Sequence, residues 1–278
     1  MNSVDFTEIG DGVHVLRYPV LDVNATLVVG DGAALVVDTL STTRQARELA
    51  AAARAVTPHR WSVVNTHHHF DHCFGNAVLA GEPPCPVYAH ETTARLLHDA
   101  AEQVRRQAYA EMAPTHPALA AELLDTPILA PDRLVGHDTV LDVGGRRVEL
   151  RHLGRGHTAG DLVVRVPDAD VLIVGDLVEE GGPPAFEDAF PVEWPETLAQ
   201  LLNLITPRTV VVPGHGRVVD EAYVRSQHAD LTTLAWWIRE GHCDGAPAER
   251  VAERAPFERE AALTAVQRGY AELGGRTG

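Results

Sequence analysis

Short apolar runs separated by turns rich in glycine and aspartate open the chain, at residues 13–17, 25–29 and 33–37. Three such runs predict an antiparallel meander. The period then changes. Ala46, Leu49, Ala50, Ala53 and Val56 recur at helical spacing behind a candidate cap at Ser41 or Thr42, and Pro58 ends the run. Trp61-Ser62-Val63-Val64 returns to a short buried strand, which gives the order strand, helix, strand. Gly75 and Asn76 allow a sharp exit into a second helix that Pro83-Pro84 break, and residues 87–89 form another strand. Residues 92–112 predict one helix with Leu96, Leu97, Ala100, Val104 and Ala108 on one side.

Four prolines and an apolar patch between 114 and 131 predict a loop or short helix over a pocket. Residues 139–143 and 147–153 form a hairpin around Gly144-Gly145, followed by strands at 161–166 and 171–174. The loop at 181–191 is long enough to line a pocket; Phe186, Phe190 and Trp194 are either its apolar wall or ordinary packing beneath it. A helix at 196–205, a strand at 209–212 and closing helices at 220–240 and 248–273 complete the pattern. No interval reads as a linker, so one domain is expected over 1–278, with a C-terminal helical extension from about 220 to 278. Trp236-Trp237 either packs the first closing helix on the body or, if exposed, marks a homodimer contact.

Composition narrows the partners. A formal charge of −16 leaves no basic stripe for nucleic acid or an anionic membrane. All 23 basic residues are arginine, so a lysine that clamps a substrate carboxylate or phosphate is excluded. Cys73, Cys85 and Cys243 are odd in number and scattered, which predicts reduced thiols. No segment reaches eighteen unbroken apolar residues, and residues 1–11 lack a basic-then-apolar pattern; the expected address is the cytoplasm.

The chemistry concentrates in Thr66-His67-His68-His69-Phe70-Asp71-His72, directly after a buried strand. Three imidazoles and a carboxylate at that spacing can aim donors at a common centre. Three further segments place single metal-type residues beside glycine near strand ends: Gly156-His157-Thr158, Gly175-Asp176 and Pro213-Gly214-His215-Gly216. Small neighbours let the backbone turn tightly and bring a ligand close. An expression tag would sit at a terminus and lack the interleaved aspartate; one metal site accounts for all four segments. Asp38, at a strand end, either holds a ligand imidazole by its second nitrogen or serves a turn. His90 reads as a helix start, His152 is left out of the site, and Cys73 is not a ligand because the chain would have to fold back over His72.

This combination resembles the metallo-β-lactamase-fold hydrolases, whose signature is His-x-His-x-Asp-His followed by single His, Asp and His ligands. The resemblance runs from the strands before Asp38 to the Pro-Gly-His-Gly segment. It implies an α/β four-layer αββα sandwich of two mixed β-sheets with the site along one edge. It also implies that His67, His69 and His157 hold a first metal and Asp71, His72 and His215 a second, with Asp176 bridging. Two zinc ions per chain are expected, with iron or manganese as alternatives. Two such ions sharing a water give a hydroxide that attacks a small ester, thioester, lactone or lactam, while Asp71 orients it or relays its proton. A glyoxalase II-like thioester hydrolase keeps the same seven ligands. A persulfide dioxygenase on this scaffold would use one iron at His67, His157 and Asp176. Only 39 residues separate Asp176 from His215, too few for the inserted domain of the nucleic-acid-processing branch.

Overall fold

The computed structural model describes residues 4–81 and 83–275, so the ends of the expected 1–278 span, and the first residues of the segment searched for a leader, lie outside the described residues. The first half runs β1 (Thr7–Gly10), β2 (Val13–Tyr18), β3 (Val23–Val29), β4 (Ala33–Val37), α1 (Thr43–Val56), β5 (Arg60–Val64), α2 (Phe70–Cys73), α3 (Asn76–Leu79), β6 (Val87–His90), α4 (Glu91–Asp99), α5 (Ala101–Met112), α6 (Pro117–Asp125) and β7 (Arg133–Val135). The second runs β8 (Asp138–Val143), β9 (Arg146–Arg151), β10 (Val163–Val166), β11 (Val171–Gly175), α7 (Trp194–Leu202), β12 (Val210–Pro213), α8 (Glu221–Cys243), α9 (Ala248–Ala252) and α10 (Arg259–Leu273).

Two mixed sheets result. The seven-stranded sheet has the order β1-β2-β3-β4-β5-β6-β7, antiparallel through the meander and parallel from β4 onward. The five-stranded sheet has the order β12-β11-β10-β9-β8, with the β11–β12 pair parallel. Between them lies a valine-rich core: Val28, Leu35, Val37 and Val64 from one sheet meet Val148, Leu150, Val164 and Ile173 from the other. The outer face of the first sheet buries Leu27, Val36 and Val63 against Ala46, Leu49 and Ala53 of α1. The outer face of the second buries Leu172, Val174 and Val211 against α7, α8 and α10. Strands covered on both faces read as continuous apolar runs, which is why both sheets were visible as valine tracts. The layers are α, β, β, α.

Thr42 caps α1 by accepting from the Gln45 amide, one of the two caps expected. Four local expectations change. Residues 92–112 form two helices, because Ala100 (φ −130°, ψ 23°) ends α4 and starts α5. Residues 248–273 also divide; Pro256 cannot sit inside a helix, and α10 begins after it. Helix α6 packs on α5 around Leu119 and Leu123 and does not lie over the cavity, whose walls come from α4 and α5. The Arg105 guanidinium secures α6 from behind by donating to the carbonyls of Leu123, Leu124 and Thr126 at its end. Strands β1 and β7 were not foreseen; both are short edge strands with largely exposed side chains. Trp237 packs on the body beneath the Arg254 guanidinium, while Trp236 is 51% exposed.

Candidate metal centre

Every candidate donor leaves the end of a strand. The tract after β5 delivers His67, His69, Asp71 and His72; the turns after β9, β11 and β12 deliver His157, Asp176 and His215. Asp176 follows Gly175, whose φ of +52° an L side chain rarely adopts. Gly214 is required by space, since a Cβ there would lie 1.6 Å from Asp176 Oδ1. Asn24 of β3 pins the last turn by donating to the carbonyls of Pro213 and Gly216.

All seven side chains meet. His157 Nε2 lies 2.8 Å from His69 Nδ1, and Asp176 Oδ2 lies 3.5 Å from His157 Nε2 and 3.6 Å from His67 Nε2. On the other side, His215 Nε2 is 3.3 Å from Asp71 Oδ2 and 3.4 Å from His72 Nε2. Asp176 belongs to both groups: Oδ2 is 3.3 Å from His215 Nε2, and Oδ1 is 3.3 Å from His72 Nε2. The edge of a tetrahedron whose corners lie about 2.05 Å from a metal is about 3.3 Å. The donor separations cluster near that length.

Behind the donors, hydrogen bonds fix which ring nitrogen faces inward. His72 Nδ1 donates to Asp38 at 2.8 Å, His215 Nδ1 to the Leu21 carbonyl at 2.8 Å, and His157 Nδ1 to the Ala185 carbonyl at 3.2 Å. The Thr66 hydroxyl donates to Asp38 Oδ2 and lies 3.0 Å from His67 Nδ1, so one carboxylate orients two imidazoles. His69 is reversed: its Nε2 faces Asp188 at 3.3 Å, leaving Nδ1 for the centre. Such partners set the tautomer and raise ligand basicity. Asp38 thus holds a candidate donor imidazole by its second nitrogen, and it and Leu21 do so from strained backbone at φ 64° and 61°.

Burial drives His157 down to about 3, with His69 adding to the effect, and drives His67 well below its usual range, with His72 adding. Both are therefore neutral donors. For His72 and His215 burial acts the same way, but Asp176 and Asp71 together, joined by Asp38 at His72, outweigh it and hold both well above the ordinary imidazole value. Protons there balance the two carboxylates; a divalent cation would do so in their place.

The donor set fits a metal on independent grounds. His67 Nε2 and Asp176 Oδ1 are buried and make no hydrogen bond, a costly arrangement unless a ligand completes it. Four donors, His67, His69, His157 and Asp176, lie within 4.8 Å of one another, as do Asp71, His72 and His215. Imidazole and carboxylate donors suit zinc and equally suit iron.

The centre forms the floor of a cavity of about 600 Å³. Phe190 lines it, whereas Phe186 and Trp194 belong to the core beneath, so the two readings of that aromatic group divide between them. Cys73 is buried with its thiol directed at the carbonyls of His68 and His69, away from the donors. His90 accepts from the Thr92 amide as a helix cap, and His152 stacks on it at 4.1 Å. Sequence reasoning missed Thr66, Asp188 and the half-buried Glu179, whose Oε1 is 3.8 Å from His157 Nδ1. Thr66 could have been found by adjacency to His67. Asp188 and Glu179 carry no local signal, since a loop sets their approach.

A model of the metallo-beta-lactamase superfamily matches residues 18–215. The chain is 34% identical to a metallo-beta-lactamase type 2 of Bacillus sp. (strain 170) over 86 residues, 30% of this chain and 34% of the relative. It is also 34% identical to the Bacillus cereus metallo-beta-lactamase type 2 over 85 residues, 30% of this chain and 33% of that one. The chain thus spans about a third of the length of the curated relatives it matches. Among solved structures, the DIM-1 metallo-beta-lactamase superposes with a TM-score of 0.65 at 20% identity, covering 83% of this chain and 98% of that one. A metallo-beta-lactamase from Pontibacter korlensis gives 0.64 at 23% identity, covering 82% and 99%. At such identities the likeness concerns the fold.

Proposed function

The chain belongs to the metallo-beta-lactamase superfamily, and from that premise we propose that it is a dinuclear zinc hydrolase acting on a small ester, thioester, lactone or lactam. The observation that carries this reading is the convergence of seven donors from four separate turns, with two of their buried atoms left without a hydrogen bond. His67, His69 and His157 would hold one ion and Asp71, His72 and His215 the other, with Asp176 between them. When bound, zinc supplies Lewis acidity that polarises a substrate oxygen and lowers the pKa of a water toward neutrality.

The protein's own contribution is placement. Asp71 lines the cavity and also touches His215, so it can accept a proton at the reacting face without leaving the donor set. Asp38, through His72 directly and His67 by way of Thr66, keeps two donors aimed before substrate arrives. Leu21, Phe70 and Phe190 keep the floor dry enough for those charges to act strongly. The second group of donors is as completely built as the first, which supports two ions over the single-iron alternative.

The test is a chelation and reconstitution series. Turnover of an acyl substrate should vanish on exhaustive chelation and return with zinc, and the soluble His157→Ala variant should stay inactive throughout. Undiminished turnover in the chelated protein would refute the proposal.

A further inference from the structure

The cavity above the floor has an uneven wall. Gln103, Gln107 and Glu111 recur every fourth residue of α5 and so share one helix face, which lines the cavity. Glu187 and Asp188 line it from the loop after β11, and Glu179 lies deeper. Outside the seven donors, Glu111, Glu187 and Asp188 thus line the cavity as carboxylates, while burial and Asp176 push Glu179 up to about 8. Among the described residues they face one arginine, Arg268 of α10, whose Nε donates to the Ala189 carbonyl. Much of the remaining surface is apolar, from Leu96, Val104, Met112 and Phe190.

An anion entering this space meets like charge on two sides. Glu111 itself registers it: desolvation at the cavity wall, and then Asp71, push its carboxyl up from the usual value, with Glu187 and Asp188 adding and His69 opposing. Glu111 and Glu187 stand outside the donor set, so their charge adds to the wall whichever ions the floor holds. The chain offers no lysine to offset them, and its net charge of −16 slows the approach of anions from a distance.

Building on the hydrolase reading, we propose that the cavity selects acyl substrates free of carboxylate. An apolar acyl chain lies along Leu96, Val104, Met112 and Phe190, and a neutral or cationic polar group faces Gln103, Gln107 and Glu111. Lactams or thioesters that carry free carboxylates fall outside the class. Hydrolysis then works with the wall. The acyl C–O or C–S bond breaks, water's oxygen joins the acyl carbon, and the leaving group takes a proton. The new acid ionises, and the same carboxylates that admitted a neutral substrate repel the product.

The test uses the zinc-loaded enzyme and three esters with one leaving group, their acyl chains ending in methyl, trimethylammonium or carboxylate. The carboxylate-ended ester should show kcat/KM at least about 10-fold below the methyl-ended one, as expected for like charges at intermediate dielectric. The trimethylammonium ester should equal or exceed the methyl-ended one. In the Glu111→Gln/Glu187→Gln double variant the carboxylate penalty, read as a ratio to the methyl ester, should shrink several-fold. Equal or better turnover of the carboxylate ester, or an unchanged penalty in the double variant, would overturn the proposal. Calorimetry with octyltrimethylammonium, octanol and octyl sulfate reads the same preference without turnover, and tightest binding of the sulfate would also overturn it. If no ester is hydrolysed, the ester branch of the hydrolase reading falls, and the calorimetric order still decides this one.

Discussion

On the floor of the cavity, Asp38, Thr66 and the carbonyls of Leu21 and Ala185 each hold a particular ring nitrogen of a particular histidine, and Asp188 holds the Nε2 atoms of both His68 and His69. On the α5 wall, Gln103, Gln107 and Glu111 stand exposed on one helix face. The floor is over-determined, with buried donors, glycines that no larger residue can replace, and strained backbone at Asp38 and Leu21. The wall is determined only in position and charge. Reaction chemistry tolerates little displacement of its donors, whereas selection among substrates works through the sum of several exposed groups. Floor substitutions should therefore act on whether the reaction occurs, and wall substitutions on which molecule undergoes it.

The largest effect should come from the residue shared by both donor groups. Asp176→Ala should lower kcat/KM by about 10³-fold or more, because it removes the carboxylate that would lie between the two proposed ions. Gly214→Ala should approach that loss without touching a donor, since its Cβ occupies the place of Asp176 Oδ1. Metal content by elemental analysis should fall in step; full metal content in Gly214→Ala would show that the turn can give way. Asp38→Ala should cost about 10- to 100-fold in metal affinity or activity, the usual range for a partner behind a ligand. A loss confined to thermal stability would reduce Asp38 to a structural cap.

The smallest effect lies beneath the wall, at His90. Its Nδ1 caps α4, which requires the neutral ring, and burial together with neighbouring His152 lowers it to about 4. The folded value lies below the unfolded value of about 6.5, so the unfolded chain takes up the proton first as pH falls. Stability from this group is complete above about pH 6.5, declines as pH falls toward 4, and is level below that. With allowance for solvent screening the decline is about 1–2 kcal/mol. His90→Asn keeps a capping acceptor that does not titrate. Melting temperatures of the two proteins should converge between pH 7.5 and 4.5; parallel curves would contradict the assignment.

Legibility in the sequence follows the same division. The floor could be read because its donors sit in one dense tract and beside glycines at the ends of valine-rich strands, and period-two and helical patterns reveal where those strands end. The apolar runs gave the strands, whereas the sandwich was implied by the resemblance that the donor motifs carry. The wall was misplaced onto the proline-bearing segment at 114–131, because helix existence is encoded locally whereas the direction in which a helix packs is not. The break at Ala100 turns α5 across the cavity and leaves α6 behind it, and alanine gives no sign of a break. Asp188 escaped for a related reason. Its partner His69 lies 119 positions away, and only the path of the loop after β11 brings the two together.

The account rests on two adjoining ions held by one set of donors, and metal stoichiometry tests that most directly. Elemental analysis of the zinc-reconstituted, dialysed protein should find two zinc ions per chain, and about one in His215→Ala, where only the second donor group is broken. One zinc ion or fewer in the unmodified chain, or a single iron that zinc does not displace, would contradict it.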